Sequence, residues 1–198
     1  MIKTILVGAS AVALLAACSP AEQTDAKQDA NSAATAVQDA ASGVVGQTSA
    51  ATLGANTTAA FVPGLAMSDM YELEAAKIAA SRSSNAGVKE LAAMITTDHT
   101  ASSAKLKAAA PAEAPDVALP TALDQRRQGL LDNLNAATNA DFDKVWLNQQ
   151  VAAHNEALTM LNGYKDHTET PRLAALAGEI IPKVTAHRDR AQQLLDAM

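Results

Sequence analysis

The sequence has 198 residues, of which 48% are hydrophobic and only 3% are aromatic. Its formal net charge is −6 at pH 7, so it lacks the positive charge with which nucleic-acid-binding proteins contact phosphates. No glycine-rich loop precedes a predicted helix, so the sequence does not favour a phosphate-binding site either. We therefore predict that nucleic acids are not partners of this protein.

The N-terminal residues 1–17 have the pattern of a secretory signal peptide. Lys3 supplies a positive charge, an apolar run extends from Ile5 to Leu15, and small residues follow. The tetrapeptide LAAC, which ends at Cys18, resembles the lipobox of bacterial lipoproteins. The resemblance implies that Cys18 is lipidated and becomes the new N-terminus. The alternative is an ordinary signal peptide followed by an unrelated cysteine.

The segment that follows indicates where the protein resides and how it is attached. Ser19 comes directly after the cysteine, and in Gram-negative lipoproteins a residue other than aspartate there implies sorting to the outer membrane. We therefore predict the periplasmic face of the outer membrane. Residues 18–60 are rich in small and polar residues and cannot bury enough apolar surface to offset their ordering entropy. They are predicted to form a tether, in which a transient helix around Ala33–Ala41 is compatible with the composition.

Residues 61–198 are predicted to form one all-α domain. They are rich in Ala, Leu, Lys, Glu and Gln, which favour helices, and strand-type alternation is absent. Asn85 and Thr170 are predicted N-caps of the second and fourth helices, Asn139 or Asp141 of the third, and Pro111 is predicted to end the second. The predicted long helices are Pro63–Arg82, Ala86–Ala109, Asp141–Tyr164 and Pro171–Ala197.

The connections between these helices predict their topology. The first two helices are joined by a short stretch, as are the last two, so each pair is predicted to form an antiparallel hairpin. The long connection Pro111–Ala140 joins the hairpins and contains a predicted short helix near Thr121–Ala136. Two hairpins joined by one long crossover are typical of a ferritin-like four-helix bundle.

An ionisable residue lies near the middle of the apolar seam on every long helix. These residues are Glu72, His99, His154 and His187, which lie at three- and four-residue spacing from apolar neighbours. Burying an unpaired polar group costs free energy, so the four side chains are predicted to be partners of one another. Asp69 lies one turn before Glu72 and faces the same seam.

Three imidazoles and one carboxylate suit a transition-metal ion such as Zn, Cu, Fe or Mn. We therefore predict a metal or small-ligand site with His99, His154 and His187 as nitrogen ligands and Glu72 as the oxygen ligand. Asp69 is predicted to be a further ligand or an outer acceptor for a histidine N–H. The alternative is a buried hydrogen-bonded cluster in a non-catalytic structural or interaction module, where it only specifies helix packing.

The same residues disfavour di-iron oxidase chemistry. Such sites need a glutamate three residues before a histidine on two helices. The residues at those positions are Thr96, Val151 and Val184, none of which carries a carboxylate. No pattern of nucleophile and base is evident, so we predict no catalytic residue.

Several motifs in this domain resemble a bacterial envelope family, the ferritin-like domain of unknown function 4142, often labelled a predicted outer membrane protein. The most specific motifs are the Asp98-His99 pair in the run MITTDHT and the Pro182 to His187 spacing in IPKVTAH. The resemblance covers residues 61–198 and implies a helical, ferritin-like fold. It implies no particular reaction, so it supports the architecture and leaves the function to the site.

Overall fold

The computed structural model describes residues 33–35, 37–43, 46 and 57–198. Across these residues the regular structure is helical and contains no strand, which confirms the all-α prediction for this part of the chain. None of the described helices combines the length and hydropathy needed to cross a membrane. The predicted signal peptide, Cys18 and most of the predicted tether lie outside the described residues.

Residues 57–198 contain four long helices and one short helix. The short helix lies in the long connection, as predicted, and the long helices begin or end within a few residues of the predicted positions. The five elements are α1 (Thr58–Arg82), α2 (Ala86–Glu113), α3 (Gln125–Ala136), α4 (Phe142–Tyr164) and α5 (Pro171–Asp196).

Two helix boundaries differ from the prediction at prolines. α1 begins at Thr58, so Pro63 lies inside the helix rather than in its first turn. α2 continues through Pro111 to Glu113, although Pro111 was expected to end it. A proline costs a helix one backbone hydrogen bond and crowds the preceding turn, but packing against other elements can override this cost. The extension of α2 makes such a contact, because it brings Glu113 to the first turn of α5.

Glu113 caps the N-terminus of α5 from a different helix. Its two carboxylate oxygens accept hydrogen bonds from the backbone N–H groups of Arg172 and Leu173, each at 3.0 Å. Thr170, the predicted N-cap of α5, occupies that position but makes no side-chain cap hydrogen bond. A carboxylate at this end of a helix satisfies otherwise unpaired N–H groups and interacts favourably with the helix dipole.

We expect Glu113→Ala to lower the free energy of unfolding by about 1 kcal/mol, the usual cost of losing an N-cap. Urea denaturation at neutral pH measures this difference. The control is Glu74→Ala, whose side chain is 55% exposed and pairs only with Lys77 at 3.8 Å. Equal losses in the two variants would show that Glu113 contributes no more than an ordinary surface charge.

The long helices pack around a shared core. α1 packs against α2 and α4, and α5 packs against the same two helices, while α3 packs against α1 and α4. The core contains two apolar clusters at different heights along the bundle. Phe61, Leu106 and Leu161 belong to one cluster, and Ile95 and Trp146 belong to the other. The predicted ionisable residues lie between these clusters on all four long helices.

Part of the predicted tether contacts the bundle. Residues 37–43 are helical, and the Asp39 carboxylate accepts hydrogen bonds from Asn133 Nδ2 at 2.7 Å and Gln149 Nε2 at 2.6 Å. Arg126 also donates to the Ser42 carbonyl at 3.2 Å. These contacts are polar and join residues that are far apart in the sequence. The low apolar content of the segment, from which the tether was predicted, therefore gives no sign of them.

Candidate metal centre

The four ionisable seam residues are buried in the core, each on a different long helix. Glu72 on α1, His154 on α4 and His187 on α5 are each 1% exposed, and His99 on α2 is 3% exposed. In each helix, apolar residues lie before and after the ionisable residue at helical spacing. The helix rotation that buries this apolar seam therefore also buries the ionisable side chain. This common rotation accounts for the burial of all four side chains.

The three histidines come together in the centre of this layer. Their ring centroids are 5.8 Å apart for His99 and His154, 5.7 Å for His99 and His187, and 5.4 Å for His154 and His187. One ring nitrogen of each lies within 4.8 Å of the other two, close enough to hold a single metal ion. Within the described part of the chain, no other group of three His, Cys, Asp or Glu side chains meets this spacing.

Each imidazole has one nitrogen bound to an acceptor on the outside of the triad. His99 Nδ1 lies 2.8 Å from Asp69 Oδ1, and His154 Nδ1 lies 2.9 Å from the Gln150 carbonyl oxygen. His187 Nε2 lies 3.0 Å from Asp98 Oδ2. Carbonyl and carboxylate oxygens only accept, so each of these outer nitrogens carries the ring hydrogen and donates it.

The inner nitrogens of neutral rings therefore carry lone pairs. His154 Nε2 and His187 Nδ1 face each other at 3.3 Å, and neither has a hydrogen to donate when its outer nitrogen donates. His99 Nε2 is fully buried and has no hydrogen-bond partner among the described residues. When all three rings are neutral, they hold unshared lone pairs in one buried volume, an arrangement that a bound cation would satisfy.

The electrostatics of the core keep two of the rings neutral. Burial lowers the pKa of His154 well below its usual value, and the neighbouring His99 and His187 lower it further. Burial and His99 also lower the pKa of His187, against the opposing effect of Asp98. Metal ions bind the neutral form of histidine, so a lowered pKa leaves these rings available as ligands at neutral pH.

His99 differs from the other two rings because it lies among acidic groups. Burial opposes its charged form, but the hydrogen bond to Asp69 and the negative charge of Glu72 raise the pKa of His99. Asp69 is itself fixed by Ser103, whose hydroxyl donates to Asp69 Oδ2 at 3.1 Å. Asp69 thus has the geometry of an outer acceptor, one of the two roles that its position predicts.

Glu72 lies beside the triad and not at its centre. Its Oε1 is 3.6 Å from His154 Nδ1, the outer nitrogen that donates to the Gln150 carbonyl. Its Oε2 is buried without a hydrogen-bond partner in the part of the chain that the structure describes. Burial raises the pKa of Glu72 to about 7, although the nearby His99 acts in the opposite direction. The structure therefore brings together three of the four predicted ligands and leaves Glu72 outside the group that meets the metal spacing.

Asp98 belongs to the site although its position off the seam predicts only a contact with water or a neighbouring helix. Besides the bond from His187, its carboxylate accepts one from Lys183 Nζ at 2.6 Å. Lys183 and His187 together lower the pKa of Asp98, outweighing its partial burial. In the sequence, the adjacency of Asp98 to the seam residue His99 was the one signal that placed Asp98 near the site, and no spacing within α2 or α5 identifies His187 as its partner.

The chain matches the family described as a domain of unknown function (DUF4142) over residues 43–194. The match includes α1 to α4 and nearly all of α5, and it confirms the resemblance found in the sequence motifs. A search of the curated proteins and a search of the solved structures found no match. The geometry of the histidine triad is therefore the main indication of function.

Proposed function

Because the chain belongs to the DUF4142 family, whose function is unknown, we propose its role from its core: the protein binds one transition-metal ion through His99, His154 and His187. The observation that carries this proposal is the convergence of one nitrogen from each ring within 4.8 Å, with no hydrogen between the neutral rings of His154 and His187. A cation bound there would replace the missing hydrogen-bond donors. Three imidazole nitrogens are found together as ligands in zinc sites. The same donor set is also compatible with copper, iron and manganese.

The outer partners of the rings support a metal site over an accidental cluster. Histidines that bind metals commonly donate their second N–H to a carboxylate or a backbone carbonyl, which fixes the tautomer and the ring orientation. Asp69, Asp98 and the Gln150 carbonyl are in these positions. Each ring is thus oriented by a group that lies on the side away from the triad.

We further propose that the bundle is ferritin-like. The α1–α2 and α4–α5 hairpins are joined by the long connection that carries α3. Metal sites of bundles with one long crossover are built from facing helices in the core. The proposed site fits that plan but has histidines where di-iron proteins have bridging carboxylates, which favours binding of a single ion.

The proposed metal site is tested by loading the purified protein separately with zinc, copper, iron and manganese. After desalting, metal analysis should find one ion per chain for at least one metal, and that metal should raise the melting temperature. No retained metal and an unchanged melting temperature would instead favour the alternative, a buried cluster that only specifies helix packing.

We also propose that a lipid on Cys18 anchors this domain to the outer membrane, facing the periplasm. The proposal is supported by the LAAC tetrapeptide and by the predicted signal peptide before it. A multiply acylated N-terminus gives stable anchoring without a membrane-spanning helix.

We expect Cys18→Ser to move the protein from the membrane fraction to the soluble fraction of a Gram-negative host. Immunoblots of separated inner-membrane, outer-membrane and soluble fractions measure the shift. Ser19→Asp is the matched variant, since it keeps the cysteine and should move the protein to the inner membrane. If Cys18→Ser fractionates like the unmodified sequence, Cys18 is not the anchor.

A further inference from the structure

A small cavity lies beside the histidine triad, between α2 and α5. It is lined by His99 and Ser102 from α2 and by Ile180, Val184 and His187 from α5. Its volume is about 10 Å³, measured as the space open to the centre of a water-sized sphere. A single water molecule needs about 10–15 Å³ on this measure, so the cavity is just large enough for one water molecule.

The hydroxyl of Ser102 is unusual among the hydroxyl groups of α2. Those of Thr96, Thr97 and Thr100 each donate to the backbone carbonyl four residues earlier, and that of Ser103 donates to Asp69. Ser102 is 5% exposed, and within the described ranges its hydroxyl has no hydrogen-bond partner. It therefore leaves a free hydroxyl on the wall of the cavity, within one helical turn of His99.

We propose that this cavity holds an exchangeable fourth ligand of the metal ion, either a water molecule or a small monoanion, hydrogen-bonded to Ser102. The inference rests on the proposed metal site and adds to it a position that a solution ligand can reach. Structural zinc sites are closed by four protein ligands, whereas reactive sites combine three protein ligands with one exchangeable position. Three histidines and an adjacent ligand-sized cavity match the second kind.

The entrance to the cavity selects ligands by their size and not by their charge. Two ion pairs between α2 and α5 border the cavity, Asp98 with Lys183 and Lys105 with Glu179. Their charges balance, so the entrance favours neither sign of charge. The narrow volume holds one water molecule, and a linear anion such as azide would bind the metal at one end and extend into the entrance.

Cobalt and azide test this inference. The purified protein is loaded with Co²⁺, whose visible absorption reports its ligands, and is then titrated with sodium azide. We expect a saturable spectral change in the unmodified protein. Ser102→Ala should bind cobalt but weaken azide binding about tenfold, the effect of losing one hydrogen bond to a charged ligand. Ser102→Leu should fill the cavity and abolish the azide response with cobalt still bound.

Thr100→Ala is the matched control, because it removes a hydroxyl from the same helix that bonds to the Thr96 carbonyl. It should respond to azide like the unmodified protein. Cobalt that binds without any azide response, or an equal response in Ser102→Leu, would overturn the exchangeable position while leaving the metal site intact. Failure of the unmodified protein to retain cobalt would contradict the proposed metal site, and the fourth position with it.

Discussion

Replacing His154 with alanine is expected to abolish stoichiometric metal binding. Its Nε2 faces His187 Nδ1 at 3.3 Å, and its ring is 1% exposed, so no solvent molecule easily replaces it. Loss of a group that hydrogen-bonds to a metal ligand typically lowers metal affinity about 10–100-fold. Loss of the ligand itself should lower the affinity by more than that. Competition with a chromophoric chelator measures the affinity of both proteins.

His167→Ala is the matched control for this substitution. His167 lies away from the triad, where its ring stacks on Tyr164 at 4.7 Å and its Nδ1 lies 3.2 Å from Thr170 Oγ1. The control should retain the full amount of metal, and circular dichroism should show that both variants remain helical. Full metal retention in a folded His154→Ala protein would contradict the assignment of this ring as a ligand.

Replacing Glu72 with glutamine is expected to stabilise the metal-free protein above pH 7 and to have little effect below pH 4.5. Burial raises the pKa of this carboxyl from its usual 4.5 to about 7 in the folded state, with His99 opposing the change. The folded protein thus holds the proton more tightly than the unfolded chain, so stability is lost as the pH rises from 4.5 to 7. The difference between these two pKa values corresponds to about 3 kcal/mol of stability that is lost above pH 7. Glutamine is an uncharged isostere of glutamate, so Glu72→Gln should recover this stability.

Urea denaturation of both proteins at pH 4.5, 6 and 8 measures this dependence. Glu74→Gln removes the same charge from a side chain that is 55% exposed, so it controls for net charge. The control should show no comparable gain at pH 8. A Glu72→Gln variant that is no more stable than the unmodified protein at pH 8, or that gains most at pH 4.5, would contradict a buried, destabilising carboxylate.

The helices and the ionisable layer could be predicted because both follow from local patterns. The seams place His99, His154 and His187 one turn after an apolar residue, and any rotation that buries the seam must bury them. Asn85 was likewise predicted as a cap, and its side chain accepts hydrogen bonds from the backbone N–H groups of Gly87 and Val88 at 2.8 and 3.3 Å.

The details of the site could not be predicted because they depend on how helices rotate against each other. The contact of Asp98 with His187 joins α2 to α5, and no spacing within either helix specifies it. The seam pattern places Glu72 in the correct layer but does not say which nitrogen of His154 it approaches. The cap that Glu113 provides for α5 is also tertiary, and it accompanies the continuation of α2 beyond Pro111.

X-ray absorption spectroscopy of the metal-loaded protein tests the central claim most directly. With zinc bound, we predict three imidazole nitrogens at about 2.0–2.1 Å and one further oxygen or nitrogen ligand. Imidazole rings give a characteristic multiple-scattering pattern, so their number can be fitted. A spectrum that contains only oxygen ligands, with no imidazole scattering, would show that the metal binds elsewhere and would contradict the three-histidine site.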